Sequence, residues 1–130
     1  MLSKNAPGIS RLCLAVANSA RLSDGVRSTI MAGPNLISAA SYWEVFIKSM
    51  KGNLDVGDPR IWWAQALKQL SAIPLPILPE HIDRLYSLPP IHKDPFDRIL
   101  IAQATAESLT LVTTDSKIPL YASESLQVVV

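Results

Sequence analysis

Apolar positions along this chain follow two periods, and these place its elements. Trp43, Phe46, Ile47 and Met50 stand at i, i+3, i+4 and i+7, which predicts a helix ending near Met50 with these four on its inner face. Lys51-Gly52-Asn53 closes that helix. Phe96, Ile99, Leu100 and Ala104 repeat the spacing, and Ile101 and Ala102 widen the stripe until the helix is covered on most sides. Asp94 is a good N-cap for it, and Pro95 then occupies the first helical position, where a missing N–H costs nothing. Asp58-Pro59 opens a further helix that buries Trp63, Ala66, Leu67 and Leu70. Short apolar runs at Leu36-Ile37, Leu109 to Val112 and Leu126 to Val129 read as buried strands. The run from Pro74 to Leu78 is too rich in proline for a central strand.

The remaining segments are shorter. Residues 1–8 contain turn formers and read as coil. Ile9 to Asn18 is expected to be helical, with Leu12, Cys13 and Val16 facing inward. Ser23 caps a helix from about 24 to 31, which Gly33-Pro34 ends. Pro79 opens a short helix through Leu85, and Pro89-Pro90 stops it. Strands alternating with helices imply a parallel sheet covered on both faces, a three-layer α/β/α architecture.

Composition narrows the class. A chain of 130 residues with 48% hydrophobic and 18% charged residues is expected to form one globular domain over residues 1–130. A net charge of +1 gives no long basic footprint, so any nucleic-acid contact has to be local. The lone Cys13 cannot form an internal disulfide, and no apolar run is long enough for a signal peptide or a membrane span. The expected compartment is the cytoplasm.

Candidate chemistry lies in the acids. In open α/β sheets ligands bind outside the carboxyl ends of the strands. Glu44 follows the Leu36-Ile37 strand, Asp97 lies in a helix first turn, and Asp115 follows the Leu109 to Val112 run. Asp94 is a fourth nearby carboxylate. Clustered carboxylates of this kind hold Mg²⁺ or Mn²⁺ for phosphodiester hydrolysis. Each acid also has a purely structural reading. Glu44 stands at capping-box spacing from Ser41 and at ion-pair spacing from Lys48. Asp94 is a cap, Asp97 suits the helix dipole or pairs with Arg98, and Asp115 is a turn residue. Arg98 equally fits a phosphate contact. His92 fits a proton shuttle or a solvated loop position, and His81 a structural role. Trp43, Trp62 and Trp63 fit the core or a dimer contact before they fit base stacking.

His92-Lys93-Asp94-Pro95-Phe96-Asp97-Arg98, followed by Ile-Leu-Ile-Ala-Gln-Ala, resembles the signature of VapC-like PIN-domain proteins. Ser38-Ala39-Ala40-Ser41-Tyr42-Trp43-Glu44 with Lys48 resembles the family's second motif, and Glu80-His81 through Leu88-Pro89 its linking segment. The resemblance runs from about Arg21 to the C-terminus. It implies a small metal-dependent endoribonuclease, the toxin of a toxin–antitoxin pair, acting on RNA. Glu44, Asp97 and Asp115 would hold the metal with Asp94 peripheral, an antitoxin would be the protein partner, and the chain would be a homodimer to which Trp62-Trp63 contributes.

One departure stands out. The family opens with a central strand ending in an aspartate, the first metal ligand, and the matching position here is Gly8. The first strand is therefore expected to be missing or irregular, and metal binding to be weak. Two explanations compete: the natural gene product has kept the scaffold and lost the chemistry, or this chain begins at the wrong place or carries a sequence change upstream. Two functions follow from different classes: an impaired ribonuclease, and a non-catalytic PIN scaffold that binds a protein partner or RNA.

Overall fold

A computed structural model describes residues 11–13, 23–90, 93–112 and 127–129. Five strands form one sheet: β1 (Arg11–Cys13), β2 (Asn35–Ser38), β3 (Ala72–Leu75), β4 (Thr110–Val112) and β5 (Gln127–Val129). Their spatial order is β3-β2-β1-β4-β5, and every pairing is parallel. Among the described residues, five α-helices connect or flank them: α1 (Asp24–Ala32), α2 (Ala39–Met50), α3 (Pro59–Gln69), α4 (Pro79–Asp83) and α5 (Pro95–Ala106). A 3-10 turn, Arg84–Ser87, follows α4.

The centre of the sheet differs from the expectation for residues 9–18. Instead of a helix, Arg11–Cys13 forms the central strand, with Leu12 in register with Leu36 on one side and Leu111 on the other. The i, i+4 pair Leu12 and Val16 that suggested a helix belongs to a continuous apolar run, Leu12 to Ala17, which equally suits a strand covered on both faces. The sheet decides between the two: without β1, β2 and β4 would each carry an open edge. The first strand is thus present, only three residues long, and does not come from residues 1–8.

Two apolar clusters lie against the sheet. Leu111 and the α5 residues Ile99, Leu100, Ile101, Ala102 and Ala104 belong to one, with Leu36 packed against it. Ile37 and Ala66 form the other, flanked by Ile30, Trp62, Trp63 and Leu67. Leu36 and Ile37 are neighbours in β2 but join different clusters, because successive strand side chains point to opposite faces. Burial of each large α5 side chain contributes about 1.5–3 kcal/mol. β3, which contains Pro74, lies at the sheet edge, where a residue without an N–H is tolerated.

Helix α2 corrects a second expectation. Its buried residues are Ala40, Ser41 and Val45. Trp43 and Met50, expected inside, are 59% and 76% exposed, while Phe46 and Ile47 are half-buried. The helix leaves β2 without a linker, so its small residues meet the core and its large ones are pushed to the flanks. Tyr42 is held there, its ring stacked on Trp63 at 4.6 Å. The end of α2 is as read: Gly52, at φ 76°, lets its own N–H reach Ser49 O at 3.1 Å and the Asn53 N–H reach Lys48 O at 2.9 Å.

Candidate metal centre

Glu44, Asp94 and Asp97 come together. Each offers a carboxylate oxygen, and these oxygens lie within 4.8 Å of one another. Two local structures bring this about. Ser38, the last residue of β2, caps α2 by accepting from Ala40 N–H at 3.0 Å, which sets the phase of the helix that carries Glu44. Asp94 caps α5 by accepting from Phe96 N–H at 2.9 Å, and Asp97 then falls in the first turn. The cap of α2 is Ser38, so Ser41 does not form the capping box suggested by its spacing to Glu44. The Glu44–Lys48 ion pair does form, at 3.5 Å.

The electrostatics suit a cation. Burial pushes the Glu44 carboxyl above its ordinary value; Lys48 pulls it down, and the neighbouring Asp94 carboxylate pushes it up again. Carboxylate oxygens are hard donors, and a divalent ion at this point would offset their mutual repulsion. The donor set therefore fits Mg²⁺ or Mn²⁺. Asp94, expected at the periphery, supplies one of the three clustered carboxylates. Asp115 follows β4 by three residues and lies outside the described residues, as does His92. β1 ends at Cys13 and not within residues 1–8, and the sequence Leu14 to Ser23 after it contains no acid.

A buried polar network braces the two helices. Ser38 Oγ donates to Gln103 Oε1 on α5. The Gln103 amide donates to Pro76 O at 3.2 Å and lies 3.4 Å from His81 Nδ1. His81 is fully buried; its Nδ1 accepts from Leu78 N–H at 3.0 Å, which leaves the ring proton on Nε2, 2.9 Å from the Glu107 carboxylate. His81 is thus structural, as read. Ser38 and Gln103 stand inside the two motifs, but the sequence assigned neither of them a role. Gln103 left one signal, a lone amide in the apolar run Ile99 to Ala104. Arg98 donates to Pro89 O at 3.0 Å. Trp43 is not core; it meets the Phe96 ring edge-on at 5.2 Å.

The parallel sheet and the three clustered carboxylates define an α/β fold with an acidic cluster formed between α2 and the start of α5. The PIN domain matches residues 12–123, and the chain belongs to the PIN-domain family. Among solved structures, the chain is similar to one from the crystal structure of VapBC2 from Rickettsia felis bound to a DNA fragment from its promoter. The TM-score is 0.63 and the identity 14%, with 92% of this chain and 96% of that one covered. No curated protein matches the sequence. Among the described residues, no helix is long and apolar enough to cross a membrane.

Proposed function

We propose that this protein is a VapC-like PIN-domain endoribonuclease, the toxin of a toxin–antitoxin pair, with catalysis impaired by the lack of an acid after its central strand. The observation that carries the reading is the convergence of Glu44, from one motif, with Asp94 and Asp97, from the other. Glu44, Asp94 and Asp97, with Asp115, would hold one Mg²⁺ or Mn²⁺ weakly, at a dissociation constant of about 1 mM, the loose end of the range for oxygen sites. When bound, such an ion supplies an activated water and charge neutralisation at the scissile phosphate. The residues of the chain do the rest. The braced helices α2 and α5 keep the carboxylates at one point, which matters because small misplacements in a reacting site cost about a hundredfold in rate.

The partners in this reading are RNA, an antitoxin and a second copy of the chain, in the cytoplasm. The VapBC2 complex supports the antitoxin by likeness of fold. The absence of acid from Leu14 to Ser23 favours a second reading, a non-catalytic scaffold that binds RNA or a partner protein.

Calorimetry with Mn²⁺ on the native chain and on Asp97→Asn tests the centre; equal heats from both would reduce Asp97 to a helix-start residue. Cleavage of single-stranded RNA tests the activity. The native chain is expected to cut slowly or not at all, and one of Leu14→Asp, Ala15→Asp or Val16→Asp to gain metal-dependent cutting. Brisk cutting by the native chain, abolished in Asp97→Asn, would show that the missing acid is not needed.

A further inference from the structure

A groove of about 500 Å³ opens beside the acid cluster. Glu44 and Asp94 form part of its wall, together with Lys48, Lys51, Asn53 and Lys93. The three lysines come from two places in the chain. Lys48 and Lys51 lie in the last turn and at the C-cap of α2, and Lys93 precedes the N-cap of α5. Lys48 is engaged with Glu44. Lys51 and Lys93 are exposed and form no ion pair among the described residues. A cation near a helix C-terminus is favourable for the helix itself, which accounts for Lys48 and Lys51. It does not account for Lys93, which belongs to another segment and sits ahead of a helix N-terminus, where the dipole disfavours a cation. In a chain of net charge +1, gathering three ammonium groups on one groove is a local feature and not a reflection of overall charge.

We propose that this groove is the phosphate subsite for single-stranded RNA, with Lys51 and Lys93 donating to backbone phosphates beside the acid cluster. The inference rests on the nuclease reading and adds the residues that hold the strand. Ammonium groups on flexible stems contact phosphate oxygens as point charges and do not read bases. The carboxylates in the wall would repel a phosphate strand by themselves. A divalent ion shared between them and the strand removes that repulsion, because such ions bind carboxylates and substrate phosphates together. The partly buried Phe96 ring, which also lines the groove, gives a base an apolar surface to lie on. An acidic peptide would meet the same lysines but has no phosphate to share with the ion.

The test uses the full chain and a labelled, cleavage-resistant 2′-O-methyl RNA, with binding followed by anisotropy in Mg²⁺ over a salt series. Lys51→Gln with Lys93→Gln is expected to weaken binding roughly tenfold at low salt for every RNA sequence tried, and to flatten the log–log salt dependence by about 1.4. Calorimetry with Mn²⁺ should give the same heat for variant and native chain, since neither lysine belongs to the acid cluster. Equal RNA affinity of the two proteins would overturn the subsite, as would a groove that takes duplex DNA or an acidic peptide through these lysines in preference to RNA. A chain that binds RNA through the lysines but gives no Mn²⁺ heat would uphold the subsite and overturn the metal centre instead.

Discussion

Asp94 serves two purposes with one carboxylate: it caps α5 through Phe96 N–H and it joins the cluster with Glu44 and Asp97. Substitution separates them. Asparagine caps as well as aspartate, so Asp94→Asn should hold stability to within about 0.5 kcal/mol while weakening Mn²⁺ binding. Asp94→Ala should lose both, with a stability cost of about 1 kcal/mol. Urea denaturation and calorimetry on the same two variants measure this. Asp58 gives a charge effect with no site attached. Its carboxylate accepts from the Arg60 side chain at 3.1 and 2.8 Å, and this pairing holds it down from 3.8 to about 2. A depressed folded value means that the pair stabilises above pH 4, fades as pH falls from 4 to 2, and contributes nothing below. Asp58→Asn keeps the cap and removes the charge. The stability gap between native and variant should therefore be present at neutral pH, small because the pair faces solvent, and closed at pH 2. Added salt should narrow it as well.

Helices α2 and α5 carry the cluster, and their relative placement depends on a side-chain network more than on their own propensity. Gln103 bridges Ser38, which caps α2, and Pro76 O, which follows β3. Gln103→Leu keeps the volume roughly but strands a buried hydroxyl and a carbonyl, for a loss of about 1–3 kcal/mol in chemical denaturation. A loss no larger than that of an exposed substitution would mean the network is incidental. The amide could be noticed in the sequence as the one polar residue among Ile99 to Ala104, but its partners stand 65 and 27 positions away and left no local mark. The ends of the helices, by contrast, were legible. Asp58-Pro59, Pro79, Asp94-Pro95 and Gly52 fall where capping chemistry puts them, because caps involve only near neighbours.

At the scale of the molecule, large apolar side chains remain on the surface. Ile82 and Tyr86, four residues apart in α4 and the 3-10 turn, are 54% and 98% exposed. The Trp62-Trp63 pair is already in use inside the chain, both half-buried and Trp63 stacked on Tyr42. Homodimerisation is the expected consequence of the exposed remainder. Light scattering at high micromolar concentration should give twice the chain mass; a monomer mass would refute it.

The sequence by itself determined the elements whose signals are local: the five helices of the described residues, the exclusion of the Pro74 run from the sheet centre, and the two motifs that carry Glu44, Asp94 and Asp97. Tertiary structure decided what depends on neighbours far along the chain. Residues 11–13 became the central strand because β2 and β4 both need a partner there, which no pattern within residues 9–18 records. Trp43 turned outward because α2 presents Ala40, Ser41 and Val45 to the core, and the phase of a short helix is set by what it packs on. Asp94 entered the cluster because the distance between two helix starts is a property of the packed fold, and spacing in the sequence does not contain it.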